Sequence, residues 1–195
     1  MQNKPELNTY LSTGIKQVGG WCLPKLWNCI EPLVDQMYQD GDVGDVAEIG
    51  VFKGKFLIGL AKTLPDSLVH AIDVFDDQHG NVDNAGVGSL EALQDNMHSH
   101  GVNTDRLKIY QADSSTIDHT VFNTHTDVQR PVSLFSIDGC HTVEHTTSDT
   151  LLAMAATKRN GLIFIDDYTN PMWPGVQESI ARLYICSSPM FVPLA

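Results

Sequence analysis

Short apolar runs alternate along this chain with longer stretches whose apolar positions recur at three- and four-residue spacing. The runs at 45–49, 68–73, 106–110, 132–137 and 162–165 predict strands, and Met190-Phe191-Val192 predicts a last one. Between them, 54–64, the stretch ending near His98, 144–158 and 176–185 predict helices. Residues 25–40 carry Leu26, Ile30, Leu33, Val34 and Met37 on one helical face, which Gly41 stops. Residues 1–24 are polar and broken by Pro5, Gly14, Gly19-Gly20 and Pro24, which predicts an arm with one helical turn. Phe75 to Gly88 reads as a polar loop.

Strands alternating with crossover helices imply an α/β fold: a Rossmann-like, doubly wound, mostly parallel sheet with helices on both faces. The division expected is an N-terminal arm and helix over 1–41, covering the active-site edge with Trp21 and Trp27, followed by one domain over 42–195. Ligands of such sheets bind beyond the carboxyl ends of the strands. In this chain five successive strands end in an acid: Glu48, Asp73, Asp113, Asp138 and the pair Asp166-Asp167. One such acid is commonly a helix cap. Five on one edge repel one another unless cations or hydrogen-bond donors sit among them.

The first strand runs into Glu48-Ile49-Gly50-Val51-Phe52-Lys53-Gly54. Its glycines are spaced G-x-x-x-G rather than G-x-G-x-x-G, and the acid before them would repel a phosphate but suit a cation. Asp73 stands where a carboxylate accepts from both hydroxyls of a ribose. Asp138, Asp166 and Asp167, at the ends of neighbouring strands about 4.8 Å apart, can converge on one ion. Hard oxygen ligands of this kind suit Mg²⁺ or Ca²⁺.

Charge narrows the partners. Twenty-four acids against twelve Lys and Arg give a formal net charge of −12, which opposes nucleic acid and anionic membranes. A small molecule is the expected substrate. No secretory signal and no bilayer-spanning apolar run is evident. Cys22, Cys29, Cys140 and Cys186 form no C-x-x-C pair, so a cytoplasmic setting with reduced thiols is expected, with Cys22 and Cys29 as buried packing.

The glycine turn with its preceding acid resembles motif I of the class I S-adenosylmethionine (SAM) methyltransferases. Ile137-Asp138-Gly139-Cys140-His141, followed by Ile165-Asp166-Asp167-Tyr168, resembles the I-D-G-x-H and hydrophobic-(H/D)-D pattern of the divalent-metal-dependent small-molecule O-methyltransferases, of catechol and macrocin type. The resemblance covers about 44–193. It implies SAM over Glu48, Gly50 and Gly54, its ribose at Asp73 and its adenine near Asp113 and Ser114. It further implies Mg²⁺ or another divalent cation on Asp138, Asp166 and Asp167, and a hydroxylated small-molecule acceptor. His141 stands where the catechol-type enzymes carry a basic lysine, so it is the candidate general base beside Asp138, with His79 as a weaker second. Pro171-Met172-Trp173-Pro174-Gly175 could place Trp173 over the acceptor.

Three other readings use the same residues. A SAM-binding regulatory protein without methyl transfer would keep Glu48 and Asp73 and treat the later acids as caps. A cephalosporin-hydroxylase-like relative would keep fold and metal but run another reaction. His141-Thr142-Val143-Glu144-His145 also spells H-x-x-E-H, a zinc-peptidase signature, although it begins at a strand end and its third ligand would have to be Glu178. Class I methyltransferases usually finish with an antiparallel seventh strand. None is evident after Phe191, and an open sheet edge would invite a homo-oligomer.

Overall fold

Side chains alternate between the two faces of a strand, so a strand buried on both faces is apolar throughout. The computed structural model, which describes residues 4–41, 43–77, 79–123 and 132–186, shows that arrangement. β1 (Asp45–Ile49), β2 (Val69–Asp73), β3 (Leu107–Gln111), β4 (Val132–Ile137) and β5 (Thr157–Ile165) form one parallel sheet in the order β3-β2-β1-β4-β5. Strand order reverses between β1 and β4, which opens a crevice at their carboxyl ends.

Val46, Ala71 and Leu134 point to one face, into a core shared with α1 (Pro5–Ser12), α2 (Trp27–Gln39), α3 (Lys55–Thr63) and α4 (Leu90–Ser99). Ala47, Ile49, Ile72, Phe135 and Ile137 point to the other, where α5 (Val143–Ala156) contributes Leu152, Ala153 and Ala156. α6 (Pro174–Cys186) packs against α5. The expected doubly wound architecture is present.

The N-terminal segment is more structured than its polar, proline-broken sequence implies. Pro5 occupies the first turn of α1, where its missing N–H costs nothing. Leu7 and Tyr10 on that helix are buried in the same core as β1. Trp27 does not face the active-site edge. It is fully buried against α3, where Gly59 leaves room for the indole, and its Nε1 donates to Thr63 Oγ1 at 3.0 Å. Cys29 is exposed rather than packed, and Cys22 is half-buried.

β5 is longer than the strand predicted over 162–165, and it pairs with β4 in unbroken register only from Leu162. Between Thr157 and Leu162 the chain bulges through Asn160, whose φ is 67°. The predicted strand at 190–192 lies outside the described residues. Among those described, no helix is long and apolar enough to cross a membrane.

Candidate active site

Register places the acids. Ile49 pairs with Ile72 on one side and Ile137 on the other, and Ile137 pairs with Ile165. Gly50, Asp73, Asp138 and Asp166 therefore end level along one edge. The ladder bonds run on to this edge: the Gly50 N–H donates to Ile72 O at 2.9 Å, Asp138 N–H to Ile49 O at 2.9 Å and Asp166 N–H to Ile137 O at 3.0 Å. Beyond it lies a cavity of about 570 Å³.

One half of this cavity is built around the glycine turn. Gly50 has φ 81°, and a Cβ on it would fall 1.7 Å from the Asp138 carbonyl oxygen, so only glycine fits. Glu48 is 3% exposed and takes a bond from the Leu57 backbone N–H in the first turn of α3. Its Oε2 has no partner. Burial, with the like charges of Asp138, Asp73 and Asp166 added, pushes its carboxyl well above the usual range. A buried acid with a vacant oxygen beside a cavity is suited to a cationic ligand. Asp73 Oδ2 accepts from the Phe52 N–H at 2.7 Å and Oδ1 from the Phe75 N–H at 2.5 Å. The Val51 backbone N–H also bonds to this carboxylate, and the lone-pair capacity that remains can take a ligand donor.

Lys55 Nζ donates to Gly20 O at 2.6 Å, and Trp21 lies against Phe52 with ring centroids 5.8 Å apart. Trp21 and Cys22 thus border the cavity. Burial pushes the Cys22 thiol up to about 12, so it stays protonated. At the far end Asp113 caps the short turn Ser114–Thr116, accepting from the Ser115 N–H at 2.9 Å. Burial opposes its ionisation, but the Ser115 bonds and nearby His145 outweigh it and lower its pKa.

The other half holds Asp138, His141 and Asp167, which can each place one ligand atom within 4.8 Å of the others. His141 Nε2 lies 3.1 Å from Asp167 Oδ2 and 3.7 Å from Asp138 Oδ1. It is buried and makes no aligned hydrogen bond. Asp167 has a left-handed backbone, with φ 56°, and its side chain also accepts from Asn170 Nδ2 at 2.7 Å. Burial pushes Asp138 up to about 6, only partly opposed by His141 and aided by the charges of Asp166 and Asp167. Burial pulls His141 down, but the Asp138 and Asp83 carboxylates outweigh it and push it up to about 9. Trp173 stacks on the imidazole, centroids 4.4 Å apart at 17°.

This is a cation-shaped set: two carboxylates, one imidazole nitrogen that makes no aligned hydrogen bond, and perturbed protonation at Asp138 and His141. The opposite half is a backbone cradle with a buried acid. The site thus pairs a buried acid and backbone cradle suited to a positively charged organic group with a cluster of side chains that could hold a metal ion.

A family model described as a methyltransferase domain matches residues 47–168. The chain belongs to that family. It is a SAM-dependent methyltransferase, and the matched segment runs from β1 through the Asp166-Asp167 pair. Solved structures share the fold. The O-methyltransferase NovP superposes with a TM-score of 0.65 at 17% identity, over 84% of this chain and 72% of its own. CalS11, the TDP-rhamnose 3′-O-methyltransferase of calicheamicin biosynthesis, gives 0.57 at 16%, over 92% of this chain and 83% of its own. Cofactor-bound Rv0187 from MTB gives 0.54 at 15%, over 93% and 78%. No curated protein matches this chain in sequence.

Most residues singled out from the sequence line this methyltransferase's cavity: Glu48, Gly50, Asp73, Asp113, Ser114, Asp138, His141, Asp166 and Asp167. Gly54 does not. It starts α3 at φ 86° and gives room to Leu93, so its role is packing. Asp166 lines the cavity but stands outside the Asp138–His141–Asp167 trio. His79 is exposed and away from the cavity wall, which removes it as a base. The two histidines of H-x-x-E-H do not share a helical face. His141 precedes α5, whose cap is Thr142, and His145 turns toward Asp113, 4.0 Å away. Asp83, which binds His141, was not distinguishable in a loop of many polar residues.

Proposed function

We propose that this methyltransferase transfers a methyl group to a hydroxyl oxygen of a small hydroxylated metabolite, assisted by a divalent cation. The observation that carries this reading is the placement of Asp138, Asp167 and the unpartnered Nε2 of His141 around one point of the cavity that also holds the Glu48–Gly50 turn. The O-methyltransferases NovP and CalS11, which share the fold, point the same way.

Glu48, at the end of β1, faces the positively charged methionine end of SAM. Gly50 lets the turn approach it, Asp73 accepts from the ribose hydroxyls, and Asp113 with Ser114 borders the adenine. Asp138 and Asp167 hold Mg²⁺ or a similar cation, with Asp166 beside them on the acid edge. SAM supplies a methyl carbon bonded to a sulfonium, and the cation lowers the pKa of a hydroxyl bound to it.

The reaction needs an oxygen that is losing its proton as it attacks. His141 Nε2 takes that proton as the oxygen–carbon bond forms and the carbon–sulfur bond breaks. Trp173, stacked on His141, closes one side of the acceptor space and limits water there. An acidic cavity and a chain charge of −12 favour neutral or cationic acceptors over polyanions.

The test is methyl transfer from SAM to catechol and vicinal-diol acceptors with Mg²⁺, and again with EDTA. S-adenosylhomocysteine (SAH) release that needs both acceptor and cation supports the proposal. Transfer that proceeds equally in EDTA removes the cation from it.

A further inference from the structure

We propose that Asp83 is a positioning residue for methyl transfer, holding the His141 ring by Nδ1 so that Nε2 is the nitrogen presented to the acceptor hydroxyl. The inference rests on the reading of His141 as proton acceptor and extends it to a residue in a different part of the chain.

Asp83 belongs to the segment between β2 and α4, 58 residues before His141. Its Oδ2 lies 2.6 Å from His141 Nδ1 and accepts from the His141 backbone N–H at 2.8 Å. Its Oδ1 accepts from the Ala85 N–H at 3.1 Å. The Asp83 side chain is 9% exposed and that of His141 7%, so the pair is shielded from water. A carboxylate is acceptor-only, so the nitrogen facing it carries a proton. The hydrogen to be exchanged with a substrate is then the one at Nε2.

The ring is constrained on two sides. Asp83 holds one edge, through side chain and backbone of the same residue, and Trp173 covers one face. The remaining nitrogen points at Asp138 and Asp167. An imidazole free to rotate would lose this alignment, since its two nitrogens are otherwise interchangeable. The segment that carries Asp83 follows directly on Asp73, the last residue of β2, whose Oδ1 accepts from the Phe75 N–H. The wall of the cofactor half thus reaches across to orient the base in the acceptor half.

Asp83 could instead serve only to latch its loop. Asp83→Asn separates the two roles, because its amide oxygen in the Oδ2 position still accepts from the His141 backbone N–H and keeps the loop tied, while the anionic partner of Nδ1 is lost. The experiment compares wild type, Asp83→Asn and His141→Gln in three measurements: SAH affinity by calorimetry, kcat and KM with a catechol acceptor, and the downfield Nδ1–H signal of His141 in the metal-free, SAH-bound protein by NMR. Asp83→Asn is expected to lower kcat roughly 10- to 100-fold with KM for SAM and SAH affinity unchanged, and to remove the downfield signal. Wild-type kcat, or an unchanged signal, in Asp83→Asn overturns the inference, while loss of turnover in His141→Gln leaves the reading of the base standing. If SAH binding falls together with turnover in Asp83→Asn, Asp83 is a loop latch and the inference is overturned. If His141→Gln keeps full turnover, the base reading and the inference fall together.

Discussion

The α-carbon of Gly50 is pressed against the backbone of Asp138: a Cβ would fall 1.7 Å from the Asp138 carbonyl oxygen and 2.8 Å from the Gly139 nitrogen. The cofactor turn after β1 and the acid turn after β4 are therefore one packed unit. Gly50→Ala must displace the β4 turn and also pay for a left-handed φ of 81°. The expected cost is about 2–4 kcal/mol, read as a shift in urea midpoint, together with loss of SAH binding. Unchanged SAH affinity would show that the two turns are not mechanically joined.

Cation binding should release protons. Asp138 is pushed up to about 6 and His141 up to about 9, and a cation requires the carboxylate and repels the imidazolium. Mn²⁺ affinity is thus expected to rise steadily from pH 6 to pH 9. At pH 7.5, calorimetry in buffers of different ionisation enthalpy should show release of about one proton per cation. Affinity that falls with rising pH would contradict the site's electrostatics.

Asp149 lies on α5 behind Gly139, fully buried, with neither carboxyl oxygen hydrogen-bonded. Burial pushes its pKa up to about 6, with Ser114 and His145 opposing. Its folded-state value is above the unfolded one, so its contribution is complete below about pH 4 and is lost as pH rises through about 6. The loss at pH 7.5 is on the order of 3 kcal/mol. Asp149→Asn, which cannot ionise, should reduce by about 2 kcal/mol the stability that wild type loses between pH 4.5 and pH 7.5, the rest of the loss lying below pH 4.5. Urea unfolding at the two pH values measures this, and parallel pH dependence in both proteins would refute it.

Trp27 ties the N-terminal layer to α3. Its Nε1 bonds to Thr63 Oγ1 in a fully buried setting. Thr63→Val keeps the shape and strands the indole N–H, at an expected cost of about 1–3 kcal/mol. Thermal unfolding reads the loss, and SAH affinity should be preserved because neither residue lines the cavity.

The strands and their terminal acids were legible because a strand buried on both faces needs a continuous apolar run, and a run that ends in a carboxylate marks the edge where the ligand sits. The parallel register then makes level what the sequence shows only as spacing. Asp83 and the stacking of Trp173 on His141 were not legible, since both are contacts between loops far apart in sequence with no periodicity behind them. α1 was hidden by its polar, proline-led sequence, which tertiary burial of Leu7 and Tyr10 overrides. Gly54 and Trp27 read as site residues because a glycine beside a cofactor turn and a tryptophan near an edge look the same in sequence whether they face ligand or core. Which of Asp166 and Asp167 joins Asp138 and His141 was not legible either, since the two acids are adjacent and alike in sequence.

The central claim is that Asp138 and Asp167 hold a divalent cation next to His141. The most direct measurement is a titration of Mn²⁺ into the SAH-saturated protein, followed by EPR, for wild type, Asp138→Asn, Asp167→Asn and Asp166→Asn. The account predicts one site per chain in wild type, weakened at least roughly tenfold in Asp138→Asn and Asp167→Asn and less affected in Asp166→Asn. Absence of a wild-type site, or a site that survives both Asp138→Asn and Asp167→Asn, would contradict it.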